Sequence, residues 1–159
     1  MELAVIRHAV AEPHGPDLPD AERALTKEGR KKFRAAVDGM RALDLRFDRV
    51  LHSPLRRAVE TADLLAPLID GDTEVTDWLA RPPGPELVGL LAGTERVALV
   101  GHEPWLSELV AMLVVGTGAS SSRFILGKGS ATLLEGIPTV GAMHLRALLP
   151  CRVLRRVGR

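Results

Sequence analysis

The chain has 159 residues and a formal net charge of +1, with 46% hydrophobic and 26% charged residues. This balance is typical of a folded protein and excludes a chain that is disordered throughout. The near-neutral charge and the 3% aromatic content give no support for nucleic acid or a membrane surface as the main partner. We therefore expect a single domain over residues 1–159.

Cys151 is the only cysteine, which excludes an intrachain disulfide and makes a reducing compartment the default. The first residues lack a basic region followed by a long apolar stretch, and no run of 18 apolar residues occurs. We expect a cytoplasmic protein. No glycine loop of the Walker type is present, so the sequence implies no nucleotide and no cofactor.

The first pattern in the chain is an uninterrupted apolar run, residues 3–6, followed directly by Arg7 and His8. Such a run predicts a strand that is buried on both faces of a sheet. In α/β sheets, ligands bind outside the carboxyl ends of the strands. Arg7 and His8 are therefore candidate site residues. Because adjacent strand residues point to opposite faces, the backbone must leave the regular strand here if both are to serve one ligand.

The first half of the remaining chain predicts alternating helices and strands. Prolines predict a loop over residues 9–22, and Thr26 is a predicted N-cap of a helix ending at about residue 43. A strand is predicted over 48–52. Ser53 and Pro54 then predict the N-cap and first position of a helix that ends near residue 67.

The second half continues the alternation. The predicted elements are a brief strand within 70–76, a short helix over 86–91, a buried strand over 96–101, a helix from Pro104 to Gly116, a loop over 117–129, and strands over 130–135 and 142–149. The basic end, with Arg152, Arg155, Arg156 and Arg159, is interpreted as a solvated tail. The whole pattern predicts an α/β fold, a three-layer α/β/α sandwich with a mostly parallel mixed sheet.

Three of the predicted strands end at a histidine, namely His8, His52 and His102. Arg57 lies one turn into the helix that follows the second strand, and Arg23 lies at the end of the first loop. If the strands are parallel neighbours, their ends converge and these side chains share one pocket. Guanidinium groups suit tetrahedral oxyanions, and a neutral imidazole held by a backbone carbonyl can attack phosphorus. The pattern predicts phosphoryl transfer in a cationic pocket.

Four segments resemble, in the same order, motifs of the histidine phosphatase (phosphoglycerate-mutase-like) superfamily. Arg7-His8-Ala9 is similar to its Arg-His-Gly signature, with Ala in place of Gly. The other three are residues 23–29 (Arg-x-Leu-Thr-x-x-Gly), 53–61 (Ser-x-x-x-Arg-Ala-x-x-Thr) and 100–104, which carries the second histidine. The short chain, with no inserted helical lid between the third and fourth strands, most resembles the phosphohistidine phosphatase SixA subgroup.

The resemblance implies that His8 is the nucleophile and that Arg7, Arg57 and His102 form the phosphate pocket, with Arg23 as a further binding residue. It implies hydrolysis through a covalent phosphohistidine on His8. The partner is then a phosphorylated protein or a small phosphorylated substrate.

Larger members of the superfamily carry an acidic proton donor just after the third strand, where this chain has Trp78. Asp77 and Glu12 are the candidate donors here. A positioned acid contributes about 10²–10⁴-fold for a poor leaving group. An imidazole leaves far more easily than an alcohol, so a missing acid favours phosphohistidine in proteins over a sugar phosphate.

Three alternatives remain open on the residues alone. The first is a small-molecule or sugar-phosphate phosphatase of the same fold. The second is an inactive module that binds phosphoproteins. The third is a metal site built from His8, His52 and His102. That site would lack the carboxylates that usually orient metal-bound imidazoles, and the arginines would repel a cation, so we expect no metal.

Overall fold

The computed structural model describes residues 1–159 and contains one six-stranded sheet in the order β3-β2-β4-β1-β5-β6. Strands β3, β2, β4 and β1 are mutually parallel, whereas β5 runs antiparallel to both of its neighbours, β1 and β6. The mostly parallel mixed sheet is thus confirmed. The strands are β1 (Glu2–Arg7), β2 (Phe47–His52), β3 (Ile69–Val75), β4 (Arg96–Gly101), β5 (Ala131–Gly136) and β6 (Met143–Leu149).

Five α-helices flank the sheet, and four short 3₁₀ turns lie within the connections. The helices are α1 (Lys27–Ala42), α2 (Arg56–Leu64), α3 (Pro85–Gly89), α4 (Trp105–Val115) and α5 (Cys151–Val157). The turns are Asp20–Glu22, Ala66–Leu68, Asp77–Ala80 and Gly118–Arg123. No helix has the length and apolar character needed to cross a lipid bilayer.

The central strands explain the uninterrupted apolar runs. In β1, Ala4 and Ile6 pack into a core shared with α1, α2 and α5, whereas Leu3 and Val5 pack into a second core with α3 and α4. Both faces of the strand are therefore covered by helices, so residues 3–6 are apolar throughout and do not alternate with polar ones. The predicted three-layer arrangement is confirmed.

The start of α1 is built around Thr26 and Gly29. Thr26 is the N-cap, as predicted, and its Oγ1 accepts a hydrogen bond of 2.8 Å from the backbone N–H of Gly29. A Cβ at position 29 would lie 2.1 Å from the carbonyl oxygen of Val10. Only glycine therefore lets the first turn of α1 lie against the chain that has just left His8.

The prediction that Ser53 caps the second helix is wrong. Helix α2 begins at Arg56, and its N-cap Leu55 makes no side-chain capping bond. The backbone N–H of Ser53 donates to Val100 O at 3.0 Å, so the residue still continues the pairing of β2 with β4. Ser53 therefore extends the carboxyl end of β2, and its hydroxyl is free to bind a partner other than the helix terminus.

The basic end forms a helix that was not predicted, although Arg152, Arg156 and Arg159 are exposed, as expected of a solvated end. Residues 151–157 form α5, and Leu154 is fully buried against α1. A Cβ at Gly39, in the middle of α1, would lie 1.9 Å from the carbonyl oxygen of Leu154. The two helices are in backbone contact there, while the arginines of α5 point away from this contact.

Gly29→Ala tests the contact between α1 and the chain beyond His8. We expect a loss of about 1–3 kcal/mol in the free energy of unfolding, because the backbone must shift to accept the methyl group. The measurement is urea unfolding followed by circular dichroism. Gly89→Ala in α3 is the control, since a Cβ there would meet no atom within 4 Å. Equal losses in the two variants would contradict the assignment.

Candidate active site

The backbone leaves the regular strand at Arg7. The amide of Gly129 lies within hydrogen-bonding distance of two successive carbonyl oxygens, that of Arg7 at 3.0 Å and that of His8 at 3.1 Å. Successive carbonyls of a strand point in opposite directions, so one donor can reach both only where the chain bends. The His8 amide still donates to Gly101 O at 3.1 Å. The expected departure from the strand is thus present at this point.

His8 has one ring nitrogen engaged and one free. Its Nδ1 lies 2.7 Å from the carbonyl oxygen of Ala9, which can only accept, so Nδ1 carries the proton and Nε2 keeps its lone pair. Ala9 in turn donates its N–H to Thr61 Oγ1 at 3.1 Å, and the Thr61 hydroxyl donates to Arg57 O at 2.6 Å. Helix α2 thereby holds the turn after His8, which explains the spacing of Arg57 and Thr61 in the motif.

The end of β4 brings His102 beside His8. The two ring centroids are 5.1 Å apart with an interplanar angle of 47°. Both side chains are buried, with 5% exposure for His8 and 4% for His102. On the far side of its ring, His102 Nε2 lies 2.7 Å from Ser53 Oγ. The two buried rings thus lie side by side at the carboxyl ends of β1 and β4, and we refer to this region as the recess.

Two arginines border the same recess. Arg7 donates from Nη1 to the carbonyl of Leu126 at 2.8 Å, and Arg57, which is 6% exposed, donates from Nη1 and Nη2 to the backbone and side-chain oxygens of Asp20 at 2.7 and 3.0 Å. Each guanidinium group is therefore fixed through its terminal nitrogens, and neither Nε has a partner.

Five buried side-chain polar atoms lack a hydrogen-bond partner, and three of them belong to this recess: Arg7 Nε, Arg57 Nε and His102 Nδ1. An unpaired buried donor costs about 1–3 kcal/mol, and buried polar groups in native proteins are seldom left unpaired. The two arginine Nε–H groups are donors whatever the tautomer of His102, so the recess suits an oxyanion, which accepts hydrogen bonds only.

Burial lowers the pKa of His8 to about 4, and the hydrogen bond to Ala9 opposes this shift. The positive charges of Arg57, Arg7 and Lys128 lower the pKa further. At pH 7 the His8 ring is therefore neutral, as a nucleophile must be. Lys128 was not predicted from the sequence. It is exposed and directly precedes Gly129, whose amide donates to the carbonyls of Arg7 and His8.

Burial also lowers the pKa of His102, to about 3, with further lowering from Arg57, His8 and Arg23 and an opposing effect from Asp20. The field of Arg57 thus acts on both rings, whereas that of Lys128 contributes to His8 and that of Arg23 to His102. The site therefore holds two neutral imidazole rings next to positively charged side chains.

Arg23 joins the site through Asp20. Arg23 Nε donates to Asp20 Oδ1 at 2.8 Å, and its Nη1 donates to the carbonyl of Glu12 at 2.9 Å. Burial raises the pKa of the Asp20 carboxyl, but the hydrogen bonds from Arg23 and Arg57 outweigh it and hold the pKa below its ordinary value. Asp20 was missed because it lies in the proline-rich loop, where no periodicity marks a buried contact.

The two candidate proton donors, Asp77 and Glu12, both have exposed side chains. Asp77 is exposed in the turn after β3, and the Trp78 beside it stacks against Arg81, whose guanidinium carbon is 4.8 Å from the ring centroid. The Glu12 side chain is exposed, and only the carbonyl of this residue contacts Arg23. No hydrogen bond joins either carboxylate to His8, and neither is among the charges that shift the pKa of His8.

The three-histidine metal site is not formed. His52 Nδ1 lies 2.9 Å from the carbonyl oxygen of Ser53, and no group of three or more histidine, cysteine, aspartate or glutamate side chains is positioned to hold a metal ion. A mostly apolar cavity of about 660 Å³ lies away from the histidines, between α3, α4 and residues 137–140.

NMR titration of the imidazole rings should give midpoints near pH 4 for His8 and pH 3 for His102. In Lys128→Gln, the His8 midpoint should rise because a positive charge is removed, while the His102 midpoint stays where it was. A shift of both rings would contradict this assignment of Lys128. Because both pKa values are depressed in the folded state, stability should fall as the pH drops below about 6.5.

Comparison with known proteins agrees with the geometry. The sequence profile of the Histidine phosphatase superfamily (branch 1) matches residues 3–80. An uncharacterized protein of Picosynechococcus sp. is 34% identical over 125 residues, which are 73% of this chain and 74% of that protein. The mitochondrial serine/threonine-protein phosphatase PGAM5 of Mus musculus is 34% identical over 85 residues, which are 52% of this chain and only 28% of that protein.

Solved structures agree in fold. The protein histidine phosphatase SixA, complexed with tungstate, has a TM-score of 0.80 and 22% identity, covering 97% of this chain and 99% of that chain. The alpha-ribazole phosphatase from Shigella flexneri has a TM-score of 0.72 and 20% identity, covering 95% and 97%. Together with the sequence matches, which include the segments carrying Arg7, His8 and Arg57, this shows that the chain belongs to the histidine phosphatase superfamily.

Proposed function

We propose that the protein is a phosphatase that forms a covalent phosphohistidine on His8, and that its preferred substrate is phosphohistidine in another protein. The observation that carries the proposal is the pair of buried, unpaired Nε–H donors of Arg7 and Arg57 beside a neutral imidazole whose Nε2 is free. A phosphoryl group would satisfy the donors and present phosphorus to the nitrogen.

In the first step, His8 Nε2 attacks phosphorus in line with the leaving group. The new N–P bond forms as the bond to the leaving group breaks, and the leaving group departs with that bonding pair and takes up a proton. Arg7 and Arg57 offer their Nε–H groups to the equatorial oxygens, and their charges stabilise the transition state. The carbonyl of Ala9 holds the His8 ring through Nδ1–H while charge develops on it.

In the second step, water attacks the phosphorus of phosphohistidine on the side opposite Nε2. The N–P bond breaks, its electron pair returns to Nε2, and inorganic phosphate keeps the oxygen of the water, whose surplus proton passes to solvent. The low pKa of His8 favours this step, because the neutral ring is the better leaving group at neutral pH. Arg23 is linked to Arg57 through Asp20, which is hydrogen-bonded to both arginines, and it adds positive charge beside the pocket.

The missing acid supports a phosphohistidine substrate. Asp20 is the carboxylate closest to the pocket in the hydrogen-bond network, and its two arginine partners keep it ionised, so it has no proton to give. Asp77 and Glu12 are exposed and would need to approach from solvent. An imidazole leaving group tolerates this, whereas a sugar alcohol would lose the roughly 10²–10⁴-fold that a positioned acid supplies.

The connections around the site favour a protein substrate. Between β3 and β4 the chain makes only a 3₁₀ turn and the five-residue α3, so no helical lid covers the recess. His8 itself is 5% exposed. No inserted helix at this connection therefore excludes a phosphoimidazole that projects from a protein surface.

A substrate panel tests the proposal. We expect kcat/KM to be highest for a phosphohistidine peptide, lower for an aryl phosphate whose leaving group needs little acid help, and lowest for sugar phosphates. His8→Ala should abolish turnover of all three. A sugar phosphate hydrolysed far faster than the peptide would overturn the substrate assignment. Tight phosphopeptide binding without turnover of any substrate would favour the inactive binding module.

Two adjacent arginines provide a matched pair for the pocket. Arg57→Ala should lower kcat by about 10²–10³-fold, as loss of an oxyanion donor does. Arg56→Ala should leave kcat within about twofold, because the Arg56 side chain is 57% exposed and its only recorded ion pair is with Glu60. Similar losses in the two variants, in steady-state kinetics with the aryl phosphate, would show that Arg57 acts through the fold.

A further inference from the structure

Ser53 is fully buried between β2 and α2, and its role is not the helix cap that the sequence predicts. Its backbone is fixed to β4 through the hydrogen bond to Val100 O, two residues before His102. Its side chain has two contacts: Oγ accepts from the Leu55 N–H at 3.2 Å and lies 2.7 Å from His102 Nε2.

The hydroxyl proton of Ser53 has a single hydrogen-bond acceptor available to it. A hydroxyl donates one hydrogen bond and can accept two. Leu55 N–H is a donor, so it cannot receive the proton, and the lone pair of His102 Nε2 is the acceptor that remains. The reverse arrangement, with Nε2–H donating to Oγ, would leave the hydroxyl proton buried without an acceptor. That arrangement carries the penalty of an unsatisfied donor.

We infer that Ser53 fixes the tautomer of His102, so that the neutral ring holds its proton on Nδ1 and offers it to the phosphoryl oxygens. This inference rests on the proposed function for the identity of the ligand. Nδ1 of His102 is buried and has no partner within the protein. The ring lies beside His8, where the transferred group must be. Ser53 is thus a positioning residue that acts through His102.

The two histidines then have the same tautomer and opposite roles. In His8, Nδ1–H is used by the Ala9 carbonyl and the lone pair of Nε2 is left for attack. In His102, the lone pair of Nε2 is used by the Ser53 hydroxyl and the Nδ1–H is left for donation. The low pKa of His102, about 3, means that this ring contributes a directed donor at neutral pH rather than a full positive charge.

Nitrogen-15 NMR of the imidazole rings tests the inference without any turnover. In the wild-type protein, His102 should show a pyrrole-type Nδ1 and a pyridine-type Nε2. In Ser53→Ala, the protonated Nε2 form should appear in addition. A wild-type spectrum with the proton on Nε2 would overturn the inference and leave the phosphatase proposal untouched. An unchanged tautomer in Ser53→Ala would overturn it as well.

Kinetics provide the second readout. Ser53→Ala should lower kcat for the aryl phosphate by about 10–100-fold, part of the effect of losing an oxyanion donor, with a smaller change in KM. In the background His102→Asn, the amide nitrogen takes the position of Nδ1 and needs no help from Ser53. There, Ser53→Ala should change kcat by less than about twofold.

The His102→Gln background is the matched control, because its amide takes the position of Nε2 and supplies no donor at Nδ1. An equal factor for Ser53→Ala in the wild-type and His102→Asn backgrounds would mean that Ser53 acts through the fold, and would overturn the inference. Circular dichroism and thermal unfolding of each variant show whether the fold is kept. If the wild-type protein hydrolyses no substrate, the function proposal fails, and the NMR result still decides the tautomer.

Discussion

Hydrogen bonds from three parts of the chain hold the backbone of Arg7, His8 and Ala9 in one position. Strand β4 accepts from the His8 amide, Gly129 donates to the carbonyls of Arg7 and His8, and Thr61 of α2 accepts from the Ala9 amide. These partners together stabilise the bend at the end of β1. It turns the His8 ring so that Ala9 can fix its tautomer. Every other feature of the site is arranged around that ring.

The charges around the bend act in the same direction as burial. An imidazole taken out of water favours its neutral form, and neighbouring cations favour it further. Arg57 does this for both histidines, and it is itself held by Asp20. A single acidic residue in an irregular loop thus keeps the central guanidinium group in place. The recess combines permanent positive charge with uncharged nitrogen, which is what attack on a phosphoryl group requires.

The fold was predictable from the sequence because buried parallel strands leave continuous apolar runs and helices leave periodic ones. That His8 and His102 would meet was predictable for the same reason, since both follow such strands. Ser53 was misassigned because a Ser-Pro pair after a strand has the same local pattern whether or not it caps a helix. Its partner His102 lies 49 residues further along the chain.

Asp20 and Lys128 lie in loops without periodicity, so no local pattern marks their contacts. Helix α5 was missed because it is short and buries Leu154 as its only fully covered residue. Its place depends on Gly39, a distant residue in α1. A glycine inside an otherwise regular helix was the one available signal, since it marks a close approach of another backbone.

The unpaired donors of Arg7, Arg57 and His102 have a consequence for how the protein tolerates mutation. Each adds an unfavourable desolvation free energy of about 1–3 kcal/mol, so these three residues lower the stability of the folded protein. Replacement of such a side chain by an apolar one of similar shape removes both the function and the penalty. Sequence drift toward greater stability would therefore erode this recess first unless ligand binding is under selection.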